Sequence, residues 1–234
     1  MSAFQAERCG FEPHHSLFRT IYIIVISSIA PIETSALIIV DAWDRHWDPK
    51  TNKNADVLCS KINSFATKFR ERGGLIIHAP SDVVDNYNQQ EIELNFPYNT
   101  IKQEQLLKKL SQLKIPFGSK PLYGPLVWSF QNKNIEIKEN DYISECGKVI
   151  YNILQQHNIS TLYYCGMHSN HCILWTREFS ILHMIHNNIK TLLIGELTLT
   201  LPLDGHVQII NFYNKHICPV ISEKEIFERK SSNL

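Results

Sequence analysis

The sequence has no surplus of charge of either sign: 23 Lys and Arg stand against 23 Asp and Glu. That balance excludes the basic footprint of a nucleic-acid surface and the polybasic patch of a membrane-surface protein. There is no internal repeat, which excludes a solenoid. There is no apolar run of the roughly 18 or more residues that a membrane-spanning helix requires. A cysteine framework is also missing. Six Cys, at positions 9, 59, 146, 165, 172 and 218, are scattered through 234 residues. A chain of that length builds a core without staples, so a reducing, cytoplasmic setting is the expectation. One stretch leaves the compartment open. Residues 21–30 are apolar and follow Arg19. They read either as an N-terminal strand or packing arm, or as the apolar part of an export signal with Ser28-Ile29-Ala30 at its cleavage site.

What is present is an alternation of strand and helix patterns. Residues 36–40 form an unbroken apolar run, as in a parallel strand covered on both faces, and Asp41 ends it. Helix patterns follow at residues 54–72, closed by Gly73-Gly74, and at 100–114, 143–157, 172–187 and 206–216. Strand patterns fall at 75–78, 134–138, 161–164, 189–194 and 219–221. Residues 115–133 are irregular and rich in Pro, Gly and aromatics. The expected fold is a three-layer α/β, Rossmann-like parallel sheet of about six strands with helices on both faces. Its bounds are residues 36–222, with an arm or signal segment at 1–35 and a polar tail at 223–234.

Ligands of such sheets sit beyond the carboxyl ends of the strands. Three side chains fall there: Asp41 closes the first strand, Lys138 the third, and Cys172 follows the fourth across a short turn. Cys172, Trp175, Phe179, Leu182 and Ile185 recur at helical spacing, which puts Cys172 in a first helical turn. The free N–H groups and dipole there would favour its thiolate. Taken alone, Cys172 reads equally as a small buried residue and Asp41 as a cap. Trp43, Trp47, Tyr123 and Trp128 lie in loops around the crevice, either as a stacking wall for a small substrate or as loop packing. Glu196 and Thr198 follow the fifth strand and are expected to anchor its loop. The spacing of Cys165, His168, His171 and Cys172 does not set four ligands around one zinc ion when strand and helix separate them. A Cys165–Cys172 disulfide, which would silence the nucleophile, is the rival for an exported form.

Asp41, then Lys138 before a helix, then Gly166-Met167-His168-Ser169-Asn170-His171-Cys172 resembles the isochorismatase-like cysteine hydrolase superfamily. Asp41-Ala-Trp-Asp-Arg-His-Trp47 and His78-Ala-Pro-Ser-Asp82 are similar to a little-characterised branch of it. The resemblance implies that Cys172 attacks a carbonyl carbon, that Asp41 carries the proton, and that Lys138 stabilises both. It implies a non-proline cis peptide at Met167–His168, with the His168 and Cys172 backbone N–H groups as an oxyanion hole. His168 joins Trp43, Trp47 and Trp128 as substrate-contacting residues. The related nicotinamidases hold a metal through an Asp-x-His pair and a further His after the second strand. Here that place reads His78-Ala-Pro-Ser-Asp82, so neither a metal nor another cofactor is expected. The activity implied is metal-independent hydrolysis of a C–N bond in a small amide or N-carbamoyl compound. The alternatives are vinyl ether hydrolysis, as in isochorismatase itself, a redox role for Cys165 and Cys172, and a non-catalytic binding protein on the same fold. The partners implied are a small-molecule substrate and further copies of the chain, as a dimer or tetramer, with no nucleic acid and no membrane.

Overall fold

In the computed structural model, residues 30–113, 115–116 and 125–228 are described. The export-signal reading and Tyr123 lie outside them. Six strands form one all-parallel sheet: β1 Ser35–Val40, β2 Leu75–Ala79, β3 Tyr142–Ile143, β4 Thr161–Met167, β5 Lys190–Leu199 and β6 Val220–Ile221. Their spatial order is β3-β2-β1-β4-β5-β6. The helices are α1 Pro49–Glu71, α2 Gln103–Leu113, α3 Gly147–Gln156, α4 Ile181–His186, α5 His206–His216 and α6 Glu223–Phe227.

Alternation along the strands sorts the core into two layers. Ala36, Ile38 and Val40 pack with Leu106 and Leu110 of α2, Ile150 and Ile153 of α3, and Ile209 and Phe212 of α5. Leu37 and Ile39 face the other way, onto Leu58, Ile62, Phe65 and Phe69 of α1 and Ile226 of α6. A strand buried on both sides must be apolar at every position, and all six residues of β1 are buried. The three-layer α/β expectation is met. Among the described residues no helix is long and apolar enough to cross a membrane.

Several elements differ from the sequence reading. Helix α1 begins at Pro49, five residues earlier than expected, because the Asp48 carboxylate accepts the Thr51 N–H at 2.7 Å and Pro49 takes the first helical position. At its far end Gly73 turns with φ +83°, as expected of a glycine stop. Residues 134–138 are not a strand. Side chains take the amides that a ladder would use: Asn132 Oδ1 accepts from Asn134 N–H, Asn63 Oδ1 from Glu136 N–H, and Asp141 Oδ2 from Lys138 N–H. The third strand is instead the short pair Tyr142–Ile143, beside β2. Strand β5 runs on through Gly195 to Leu199, with its register to β4 shifted between Tyr164 and Gly166. The fold also continues past residue 222, where Ser222 and Glu225 form a capping box that starts α6.

The sequence stretch 172–187 is two elements. Cys172–Thr176 is a π-helical turn, Arg177 is extended (φ −108°, ψ 148°), and α4 starts only at Ile181. The break frees carbonyls, and tyrosines take them up. Tyr164 Oη donates to the Phe179 carbonyl at 2.7 Å, and Tyr98 Oη donates to that of Glu178.

Candidate active site

Strand order reverses between β1 and β4, since the chain leaves β1 for β2 on one side and reaches β4 on the other. The crevice at the carboxyl ends of these two strands is the switch point of the sheet. Gly166 lets them approach: at φ +112°, a Cβ there would lie 2.0 Å from the Val40 carbonyl oxygen. Asp41, at the end of β1, turns out of the strand with φ +47° and is fully buried. Its Oδ1 accepts the Ser81 N–H at 2.9 Å and its Oδ2 accepts Arg177 Nε at 3.1 Å. Trp43 Nε1 fixes the loop that presents that amide, donating to the Ser81 carbonyl at 3.0 Å.

The Cys172 thiol is near enough to this carboxylate, and to the Thr176 hydroxyl, for each to act on its ionisation. Burial pushes the thiol up to about 12. Asp41 pushes the same way, and Arg177 pulls against both. The thiol is therefore protonated at rest, contrary to the expectation of a standing thiolate. That expectation rested on the first turn of a long helix, whereas a five-residue π turn has little dipole to offer.

Cys172 lines a cavity of about 590 Å³, together with Asp82, Thr176, Arg177 and Glu178. All four tryptophans of the chain, Trp43, Trp47, Trp128 and Trp175, are in its wall. Trp43 and Trp128 stack with ring centroids 3.8 Å apart and planes 8° off parallel. Four imidazoles also line it: His46, His168, His171 and His183. Burial lowers each of them, His171 to about 4, so all are neutral near pH 7. Among the described residues, four buried ring nitrogens of the wall find no hydrogen-bond partner: Trp128 Nε1, His168 Nε2, His171 Nδ1 and Trp175 Nε1. The Met167–His168 peptide is cis. The Ser169, His171 and Ile173 amides donate to carbonyls, but among the described turn and loop bonds those of His168 and Cys172 do not.

No family model matches the sequence, and no curated protein matches it. Solved structures do. An isochorismatase family protein from Desulfovibrio vulgaris subsp. vulgaris str. Hildenborough is similar over 83% of this chain and 97% of its own, with TM-score 0.54 and 12% identity. An isochorismatase from Pseudomonas putida KT2440 is similar over 88% and 98%, with TM-score 0.54 and 13% identity. A cysteine hydrolase from Pseudomonas syringae pv. phaseolicola 1448A is similar over 86% and 93%, with TM-score 0.51 and 14% identity. The chain has the isochorismatase-like fold.

On this isochorismatase-like scaffold Asp41 and Cys172 come together as expected, and Trp43, Trp47, Trp128 and His168 line the same cavity. Lys138 does not join them. Its amine pairs with Glu136 at the surface, its side chain is 48% exposed, and it is absent from the cavity wall. Its backbone is tied to Asp141: the Lys138 N–H donates to the Asp141 carboxylate at 2.8 Å and its carbonyl accepts the Asp141 N–H at 3.0 Å. The cation beside Asp41 is Arg177, which the sequence reading missed. In an unbroken helix a residue five positions after Cys172 points about 140° away from it. The apolar spacing through Phe179, Leu182 and Ile185 gave no sign of the break that turns Arg177 back. Glu196 and Thr198 lie within β5 rather than in a loop after it; Glu196 accepts the Glu223 N–H at the start of α6 and Thr198 donates to the Gly195 carbonyl. Cys165 is buried and both it and Cys172 are free thiols. Among the described residues no group of three or more His, Cys, Asp or Glu is arranged to hold a metal ion.

Proposed function

We propose that the protein is a cysteine hydrolase that cleaves a C–N bond in a small amide or N-carbamoyl compound. The observation that carries this reading is a thiol, Cys172, lying against a fully buried carboxylate, Asp41, in the wall of a cavity at the switch point of the sheet. One neighbour of the same fold is named as a cysteine hydrolase, which supports the reading.

The resting thiol sets the order of events. As the sulfur attacks the carbonyl carbon, its proton passes to the Asp41 carboxylate, and the carbonyl oxygen takes up the negative charge. The His168 and Cys172 amides, for which no turn or loop bond is found among the described residues, are the donors we assign to that oxygen. Asp41 then gives the proton to the departing nitrogen as the C–N bond breaks, leaving a thioester. Water adds to the thioester carbon, its proton goes to Asp41, and the C–S bond breaks. Asp41 returns the proton to the sulfur. The cycle balances with one water consumed and needs no metal.

The wall favours a flat molecule with hydrogen-bond acceptors. Indole faces offer stacking, and the unpartnered N–H groups of Trp128 and Trp175 call for acceptors once water is displaced. A panel of small planar amides and carbamoyl compounds, assayed for ammonia release, tests the reading. Turnover of some member is expected from the wild type, with an acyl adduct on Cys172 trapped by acid quench and seen by mass spectrometry. Cys172→Ala should reduce it to background without lowering the melting temperature. Undiminished turnover in that variant defeats the proposal.

A further inference from the structure

We propose that Arg177 is the positioning residue of this site: its guanidinium holds the Asp41 carboxylate against Cys172 and is the fixed positive charge beside which the sulfur anion forms. The proposal rests on Asp41 and Cys172 being the reacting pair, and it gives Arg177 the part that the sequence reading gave to Lys138.

Three observations carry it. The first is geometry. Arg177 Nε donates to Asp41 Oδ2 at 3.1 Å, and its terminal Nη2 donates to Asp82 Oδ2 at 3.2 Å. The guanidinium thus spans from the buried carboxylate to one on the cavity rim, using the fixed fork that a lysine lacks. The second is how the chain delivers it. A π turn and an extended residue interrupt what would otherwise be one helix, and two tyrosine hydroxyls take up the carbonyls freed there. The third is the electrostatic setting. The groups facing the Asp41–Cys172 pair are the Ser81 N–H, the Thr176 hydroxyl, Arg177 and, through Arg177, Asp82. The imidazoles in the wall are neutral near pH 7, which leaves Arg177 as the cation of this group.

Two consequences separate this from a lysine-based site. A guanidinium keeps its proton throughout the pH range of proteins. Proton transfer here therefore runs through Asp41 alone, and no basic limb from a lysine appears in the rate profile. Arg177 also links the base to Asp82, so the charge that reaches Asp41 is shared with a second carboxylate.

The test reads thiol reactivity and needs no substrate. Alkylation of Cys172 by iodoacetamide is followed by peptide mass spectrometry from pH 7 to pH 11. The exposed Cys146 serves as the internal reference. In Arg177→Gln the Cys172 reactivity curve should move to higher pH, with alkylation about tenfold slower at a fixed pH on its rising limb, as for a loss of about one pKa unit of stabilisation. Arg177→Lys should recover most of the shift, which a packing role would not predict. Lys138→Met should leave the curve in place. If Arg177→Gln unfolds, the double variant Asp41→Asn/Arg177→Gln removes both charges of the pair. It is compared with Asp41→Asn alone, and the same upward movement is expected. An unmoved curve on loss of Arg177, or a curve that moves in Lys138→Met, overturns the assignment. Absence of hydrolysis in the wild type, with the curves behaving as stated, would instead count against the hydrolase reading.

Discussion

Two buried carboxylates of this protein, Asp41 and Asp141, each face an arginine, and they differ in what is left for another partner. Asp141 is 2% exposed and saturated. Its oxygens accept from Arg70 Nε at 3.0 Å, Arg70 Nη2 at 2.7 Å, His78 Nε2 at 3.1 Å and the Lys138 N–H at 2.8 Å. Burial alone would raise its pKa, but the bonds from His78, Arg70 and the Lys138 amide win and bring it to about 2. Such a group neither takes nor gives a proton near neutral pH. Asp41 is as deeply buried but holds only the Ser81 amide and one arginine nitrogen, with a thiol against it and a cavity beyond. It keeps lone pairs to offer. A buried Asp–Arg pair is therefore not by itself a sign of chemistry. What sets the Asp41 pair apart is the acceptor capacity left unfilled and the open space on its far side.

The sharpest way to break this comparison is to make the same change at both. Asp41→Asn should lower kcat by a factor on the order of 10²–10⁴ through loss of the base, while alkylation of Cys172 becomes faster because the carboxylate no longer opposes the thiolate. Asp141→Asn should do the reverse, leaving kcat near wild type and costing about 3 kcal/mol in chemical denaturation by leaving Arg70 and His78 without their anion. Near-normal kcat in Asp41→Asn would mean that the proton path is wrongly drawn.

Acid sharpens the contrast next. The folded pKa of Asp141 lies below its ordinary value of 3.8, so its contribution is complete above that value and is lost as pH falls toward about 2. Stability between pH 5 and pH 2 should drop by about 2 kcal/mol more in the wild type than in Asp141→Asn. Identical acid profiles would show that Asp141 carries no such load. The smallest effect belongs to Lys138→Met. An exposed pair with Glu136 is worth little, so stability should stay within about 0.5 kcal/mol and turnover should be unchanged.

The parts of this site that were legible beforehand share a property. Asp41, Gly166, His168 and Cys172 are tied to strand ends, and a strand buried on both faces announces itself in an apolar run such as residues 36–40. Once the strands are placed, the rule of the switch point brings their following residues to one crevice. Lys138 failed on the same logic, because the alternation of Asn134 to Lys138 imitates a strand whose backbone amides are in fact taken by Asn132, Asn63 and Asp141. The extra turn at the start of α1 was written in Asp48-Pro49 as a cap and first helical residue.

The linear order of residues by itself determined the sheet, its two apolar layers and the nearness of Asp41 to Cys172, since these follow from periodicity and from the direction of parallel strands. Only the folded chain decided which cation serves the pair and in what state the thiol rests. Both depend on a helix that breaks at Arg177, where Tyr164 and Tyr98 from elsewhere in the chain take up the carbonyls the break exposes. Both depend as well on how deeply Cys172 is desolvated. Neither quantity has a signature in local spacing, because each is set by atoms that are distant in sequence and adjacent in space.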